Sequence, residues 1–172
     1  MKKKVVLLGD SITQGLGSKK INFTQELQEQ LGNGYLIDNM AFTGTTIHYA
    51  EKILPEVMEK HPEYVVIVYG NVDAQIRPCR TGHIFSHLPK RFQGGGMLMP
   101  RPFYSHTWYK RIGQKIENMM RNICSRLIYA VDGTEQWVPL GEFQEAYQNL
   151  VKELKKCKIK PIVCSTVYID ET

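Results

Sequence analysis

Residues 2–18, KKKVVLLGDSITQGLGS, run a short apolar stretch directly into Gly9-Asp10-Ser11. Four adjacent apolar residues, Val5 to Leu8, suit a strand covered on both faces, as in a parallel sheet. The serine needs a different explanation, because a buried strand does not call for a hydroxyl at its end. In open α/β sheets the carboxyl ends of the strands face a crevice where ligands bind, so a serine placed there has a chemical use.

The rest of the chain alternates in the way such a sheet requires. The stretch KKINFTQELQEQLG reads as an amphipathic helix with Ile21, Leu27 and Leu31 on one side and Gly32 as a stop. GYLIDNMA reads as a second strand. TTIHYAEKILPEVMEKHP reads as a helix capped by Thr45 or Thr46, with a stripe through Ile47, Ala50, Ile53, Leu54, Val57 and Met58 and a kink or break at Pro55. EYVVIVYG is a third strand, nearly all apolar and β-branched. Strand, helix, strand, helix, strand predicts an α/β fold with a parallel sheet.

At 172 residues, 42% hydrophobic and 23% charged, the chain predicts one domain spanning 1–172, with an irregular basic insertion at about 75–105. That insertion is rich in Gly, Pro, His and Arg and shows neither helical nor strand periodicity. Helical spacing returns from Thr107 to Ala130, and Trp108, Ile112, Ile116, Met119, Met120, Ile123 and Leu127 are expected to face inward. PLGEFQEAYQNLVKELKKCK predicts a further helix carrying Phe143, Ala146, Leu150 and Leu154, and KPIVCSTVYI a fourth strand.

Several function classes fall away. Cys79, Cys124, Cys157 and Cys164 form no C-x-x-C pair, so neither a zinc knuckle nor a disulfide scaffold is expected. No metal site is expected at His83 and His87, because HIFSH lacks the Glu of H-E-x-x-H. No cofactor is implied, since no G-x-G-x-x-G or Walker loop follows any strand. The apolar run after MKKK stops at Gly9, too early for a secretion signal, and no window is long enough to span a membrane, so a cytoplasmic protein is expected.

The net charge of +5 is localised: ten Lys and Arg residues crowd 77–126, where Glu117 is the one carboxylate. That favours an anionic substrate over nucleic acid, because the aromatics in the segment are not regularly interleaved with the charge. Arg77, just past the third strand, is the candidate contact.

Three polar stretches follow the first three strands: Gly9-Asp10-Ser11, residues 41–45 (AFTGT) and residues 70–73 (GNVD). A serine at a strand-to-helix turn, beside glycines that allow close backbone approach, supplies the parts of a nucleophile and an oxyanion hole. GDSIT is similar to the first sequence block of the SGNH hydrolases, the GDSL esterase/lipase family. NMAFTGTT resembles the second block and YGNVDA the third. The resemblance implies a flavodoxin-like three-layer α/β/α sandwich with Ser11 as nucleophile and oxyanion donor, Gly44 as a second N–H donor, and Asn71 as a third. Asp10 is expected to hold its turn, and Asp73 to hold the third loop and stand beside the substrate with Arg77.

Two departures accompany the resemblance. Val72 stands where the third block, Gly-x-Asn-Asp, has its asparagine, and Asn71 comes one position early; neighbours on an extended segment point to opposite faces, so either a turn brings the Asn71 amide into the site or only the N–H groups of Ser11 and Gly44 remain as donors. The family's Asp-x-x-His, which supplies the general base, has no counterpart before VYIDET. The chain is therefore expected to lack the C-terminal part of the family domain, or to draw a base from His83, His87, His106, His48 or His61. The activity implied is a serine esterase that hydrolyses or transfers a small acyl group, such as O-acetyl on an anionic carbohydrate. The alternative is a non-catalytic module of the same fold that binds an anionic ligand.

Overall fold

In the computed structural model, which describes residues 2–16, 23–93 and 107–164, the apolar run forms β1 (Lys3–Gly9) at the interior of a sheet. β1 pairs in parallel with β2 (Tyr35–Asn39) on one side and β3 (Tyr64–Val68) on the other. β6 (Lys160–Val163) joins β3, giving the order β2-β1-β3-β6 with every pairing parallel. The alternation of side chains along these strands builds two cores. Val6, Leu8, Val65 and Ile67 meet α3 (Ile47–Glu59) and α7 (Leu140–Lys156) through Ile47, Ala50, Val57, Ala146, Leu150 and Leu154. Val5, Leu7 and Val66 pack on the opposite side with Leu27 of α2 (Phe23–Leu31). Burying each such side chain contributes about 1.5–3 kcal/mol, which is why the strands are nearly all apolar. The expected three-layer sandwich is present.

The chain divides into two compact units, Met1–Gln75 with Trp137–Thr172, and Ile76–Gln136. The sheet and its layers belong to the first. There α2 ends where Gly32 takes a φ of +65°, and a 3₁₀ turn over Gly32–Gly34 leads into β2. Helix α3 runs through Pro55 to Glu59, so of the expected kink or break the break does not occur. Thr46 sits at its N-cap position without a side-chain cap bond; Asp73 accepts the first N–H, from Ile47, at 2.8 Å.

In the second unit, within the segment expected to be irregular, residues 76–93 carry short ordered pieces, and residues 94–105 lie outside the described residues. β4 (Ile76–Pro78) pairs antiparallel with β5 (Thr134–Gln136), and α4 (His83–Ser86), α5 (Lys90–Gln93) and α6 (Trp108–Val131) accompany them. Phe85, Phe92 and Ile128 form the core of this unit. Asp132, just beyond α6, accepts the N–H groups of His83 and Ile84 at 3.1 and 2.8 Å and so starts α4. The expected facing of α6 is reversed: Arg121 and Ile128 are its buried residues, whereas Trp108, Ile112, Ile116, Met119, Met120, Ile123 and Leu127 are all exposed. Periodicity placed those seven on one side of the helix correctly but could not say which side the fold covers. Arg101, His106 and the end of the fourth predicted strand lie outside the described residues.

Candidate active site

The first strand-end turn is built tightly. Asp10 Oδ1 accepts the N–H of Ile12 at 2.9 Å and caps α1 (Ser11–Gln14), a single turn opened by Ser11. Ser11 is partly exposed, and Gly15, at φ +86°, closes the turn. A Cβ on Gly9 would lie 2.2 Å from Thr13 Oγ1 and 2.9 Å from the Val68 carbonyl, so the chain passes here only without a side chain.

The second loop is tied onto the first. Phe42 N–H donates to the Gly9 carbonyl at 3.1 Å, and Thr43 N–H donates to Gln14 Oε1 at 2.9 Å, with the Thr43 hydroxyl on the same oxygen. Asn39 adds a second tie, donating to the Thr13 carbonyl at 2.8 Å and accepting from Ala41 N–H at 2.9 Å. Gly44 has a φ of +73° with open space around the position of a Cβ, so its backbone conformation, not crowding, calls for glycine. Gln14 and Asn39 were not among the sequence candidates. A signal for Gln14 existed, since it stands three residues after Ser11 within one helical turn; Asn39 reads only as the last residue of a strand.

The third loop turns at once after β3. Gly70, at φ +135°, accepts Ala74 N–H at 2.9 Å, making a helical turn over Asn71–Ala74 in place of an extended segment. Val72 goes inward and is buried, while Asn71 stays partly exposed. Strict alternation of faces therefore does not govern Asn71. Asp73 is buried, with Oδ1 accepting Ile47 N–H at 2.8 Å and Oδ2 accepting Gly70 N–H at 3.1 Å. Burial raises its carboxyl above the ordinary range, and the N–H donors pull the other way. Tyr69, also buried, has its phenol raised for the same reason.

Among the histidines, His48 on the first turn of α3 is committed elsewhere. Its Nδ1 is hydrogen-bonded to Glu51 Oε2 at 2.9 Å, and its Nε2 lies 2.9 Å from Glu142 Oε1 of α7, an ion-pair distance. The Glu51 hydrogen bond and the Glu142 charge raise its pKa against the opposing effect of desolvation. His61 precedes β3, at the opposite end of that strand from Gly70, and has a φ of +48°. It lines a cavity of about 300 Å³ with Met58, Pro62, Cys157 and Ile159. In the second unit the rings of His83 and His87 lie 4.5 Å apart, and His87 Nδ1 is 2.8 Å from the His83 carbonyl. Arg77 also belongs to that unit; its Nε donates to Glu135 Oε1 at 2.7 Å across the β4–β5 pair. Thus the first unit brings Ser11, Gly44 and Asn71 to the ends of neighbouring strands, with Asp10 and Asp73 as the supports of their turns.

Neither a family model nor a curated protein matches the chain by sequence. Solved structures do match by shape. The acetyl xylan esterase AlAXEase matches at TM-score 0.50 and 20% identity, over 94% of this chain and 57% of that one. An acetylxylan esterase from Geobacillus stearothermophilus, solved as a catalytic mutant, matches at TM-score 0.52 and 17% identity, over 100% of this chain and 64% of that one. A protein assigned to the G-D-S-L lipolytic family, from Desulfitobacterium hafniense, matches at TM-score 0.52 and 18% identity, over 94% and 58%. The chain thus spans 57% to 64% of the length of these structures. Among the described residues no helix is long and apolar enough to cross a membrane.

Proposed function

We propose that this chain, whose fold is that of the SGNH hydrolases, carries the nucleophile and oxyanion donors of a serine esterase acting on a small acyl ester. The observation that carries the reading is the joining of the Ser11 turn to the Gly44 loop through Gln14 and the Gly9 carbonyl, which holds nucleophile and donor loop as one piece. Ser11 Oγ attacks the acyl carbon, and the carbonyl oxygen becomes an oxyanion facing the N–H groups of Ser11 and Gly44. The alcohol leaves with a proton, and water then releases the acyl group from Ser11. An acceptor alcohol in place of water gives transfer with the same residues.

Asn71 is the third donor in this reading, reached through the helical turn that Gly70 begins. One such donor is worth ~10²–10³ in rate, so Asn71→Ala separates an active contributor from a bystander. Asp73 serves the substrate through the turn it holds, since both of its oxygens already accept backbone N–H groups. His48 is occupied by Glu51 and Glu142 and is not assigned as the base that takes the Ser11 proton. An O-acetylated carbohydrate is the substrate class assigned in this reading, supported by the likeness in shape to the acetyl xylan esterases.

The test is labelling of the protein with a serine-reactive fluorophosphonate, followed by peptide mapping, beside hydrolysis of p-nitrophenyl acetate. Label on Ser11, lost in Ser11→Ala together with hydrolysis while the circular dichroism is unchanged, is the expected result. A folded protein that leaves Ser11 unlabelled overturns the esterase reading in favour of a binding module.

A further inference from the structure

We propose that α6 docks the protein on an anionic lipid surface through its outward apolar face. The helix is turned the opposite way from an ordinary surface helix. Ile112, Ile116, Met119, Met120, Ile123 and Leu127 are each about half exposed, at 46–55%. Arg121 is buried instead, its Nη2 2.6 Å from Glu117 Oε1 and its guanidinium over the Phe92 ring. Large apolar side chains left in water along a helix whose charged pair is turned inward mark a face that meets something apolar.

The charge identifies the occupant. Arg111, Lys115 and Arg126 are exposed and fall within about 60° of one another on the helical wheel, along one edge of the apolar stripe. The carboxylate of α6, on Glu117, is turned to Arg121, so that edge is uniformly positive. A second copy of the chain would bring the same positive edge to the contact. A lipid surface with anionic headgroups accepts the apolar stripe among its acyl chains and the basic edge among its phosphates. Trp108 and Tyr109 at the start of the helix and Tyr129 near its end are exposed, and such rings favour the headgroup level of a bilayer. At 24 residues the helix is about 36 Å long and would lie in the surface plane.

The experiment is co-flotation of the full chain with phosphatidylcholine vesicles, with and without phosphatidylglycerol, at low and high salt. Binding to the anionic vesicles that weakens with salt is expected. Each basic residue near such a surface is worth about fivefold in partitioning, so Arg111→Gln/Lys115→Gln/Arg126→Gln should lose ~10²-fold. Ile116→Ser/Ile123→Ser should lose binding at least as fully; if it does not fold, the charge variant alone decides. Absence of flotation, equal flotation on neutral vesicles, or binding unchanged in the charge variant overturns the proposal. So does a stable dimer in solution that Ile116→Ser/Ile123→Ser converts to monomer, because the face would then belong to a second copy.

Discussion

Gly9 and Gly44 flank the candidate oxyanion region and are glycines for different reasons. At Gly9 the obstacle is space, with Thr13 Oγ1 2.2 Å and the Val68 carbonyl 2.9 Å from any Cβ. Gly9→Ala should therefore destabilise by about 1–3 kcal/mol or more, the range for forcing extra atoms into a packed site. Adding Thr13→Ala should recover only part of this, because the Val68 carbonyl stays in place. At Gly44 the obstacle is φ alone, so Gly44→Ala should cost about 1–2 kcal/mol of stability. Its effect on turnover should be the larger one, since a loop that relaxes its φ moves the N–H assigned to the oxyanion. Urea denaturation of both variants, set beside p-nitrophenyl acetate hydrolysis, separates the two causes. The positions of both glycines, and of Ser11 and Asp10, were legible from the short blocks after each strand. The partners of Gln14 and Asn39, Thr43 and Thr13, were not legible, because they are far along the chain.

At the scale of elements, α3 and α7 are joined at their starts by His48 between Glu51 and Glu142. The folded-state pKa of His48 is raised above the value of 6.5 that an unconstrained histidine has. Its contribution to stability is thus complete below about pH 6.5 and is lost as pH rises through the folded-state value. The side chain is 41% exposed, so solvent screening limits the clamp to roughly 0.2–1 kcal/mol. The stability difference between the wild type and His48→Gln, measured by urea unfolding, should be present at about pH 5.5 and nearly absent at about pH 8.5. A difference that is constant across that range would assign the effect of the substitution to packing instead. Helices α3 and α7 were readable from their stripes, since Ile47, Ala50, Val57, Ala146, Leu150 and Leu154 are the residues buried. Periodicity did equally well for α6, yet the covered face is the other one. A stripe reports which residues share a side; what lies against that side is decided by contacts such as Phe85 and Phe92 on Ile128.

At the scale of the whole molecule, the buried cores respect the division into two units. Every residue of the two clusters around the sheet lies in 1–75 or 137–172, and every residue of the third, around Phe85, Phe92 and Ile128, lies in 76–136. The chain leaves and re-enters the first unit at one place: Trp137 N–H donates to the Gln75 carbonyl at 2.8 Å, and Val138 N–H to the Asp73 carbonyl at 3.1 Å. The loss of periodicity after residue 75 falls beside the first of these boundaries, although the sequence was read as one domain with an insertion at about 75–105. The second was hidden because residues 134–136, TEQ, are too short and polar to read as a strand. A protein in which a short Gly/Ser turn replaces residues 76–136 should therefore keep the β2-β1-β3-β6 sheet and melt cooperatively, because the substitution removes no residue of either sheet core. Circular dichroism through a thermal melt checks the folding, and fluorophosphonate labelling of Ser11 checks the site. A cooperative melt with Ser11 labelled as in the intact chain would assign the nucleophile and its donors wholly to the first unit. A cooperative melt with the label lost would make the second unit a contributor to the chemistry, and a broad, non-cooperative melt would make it a requirement for the fold.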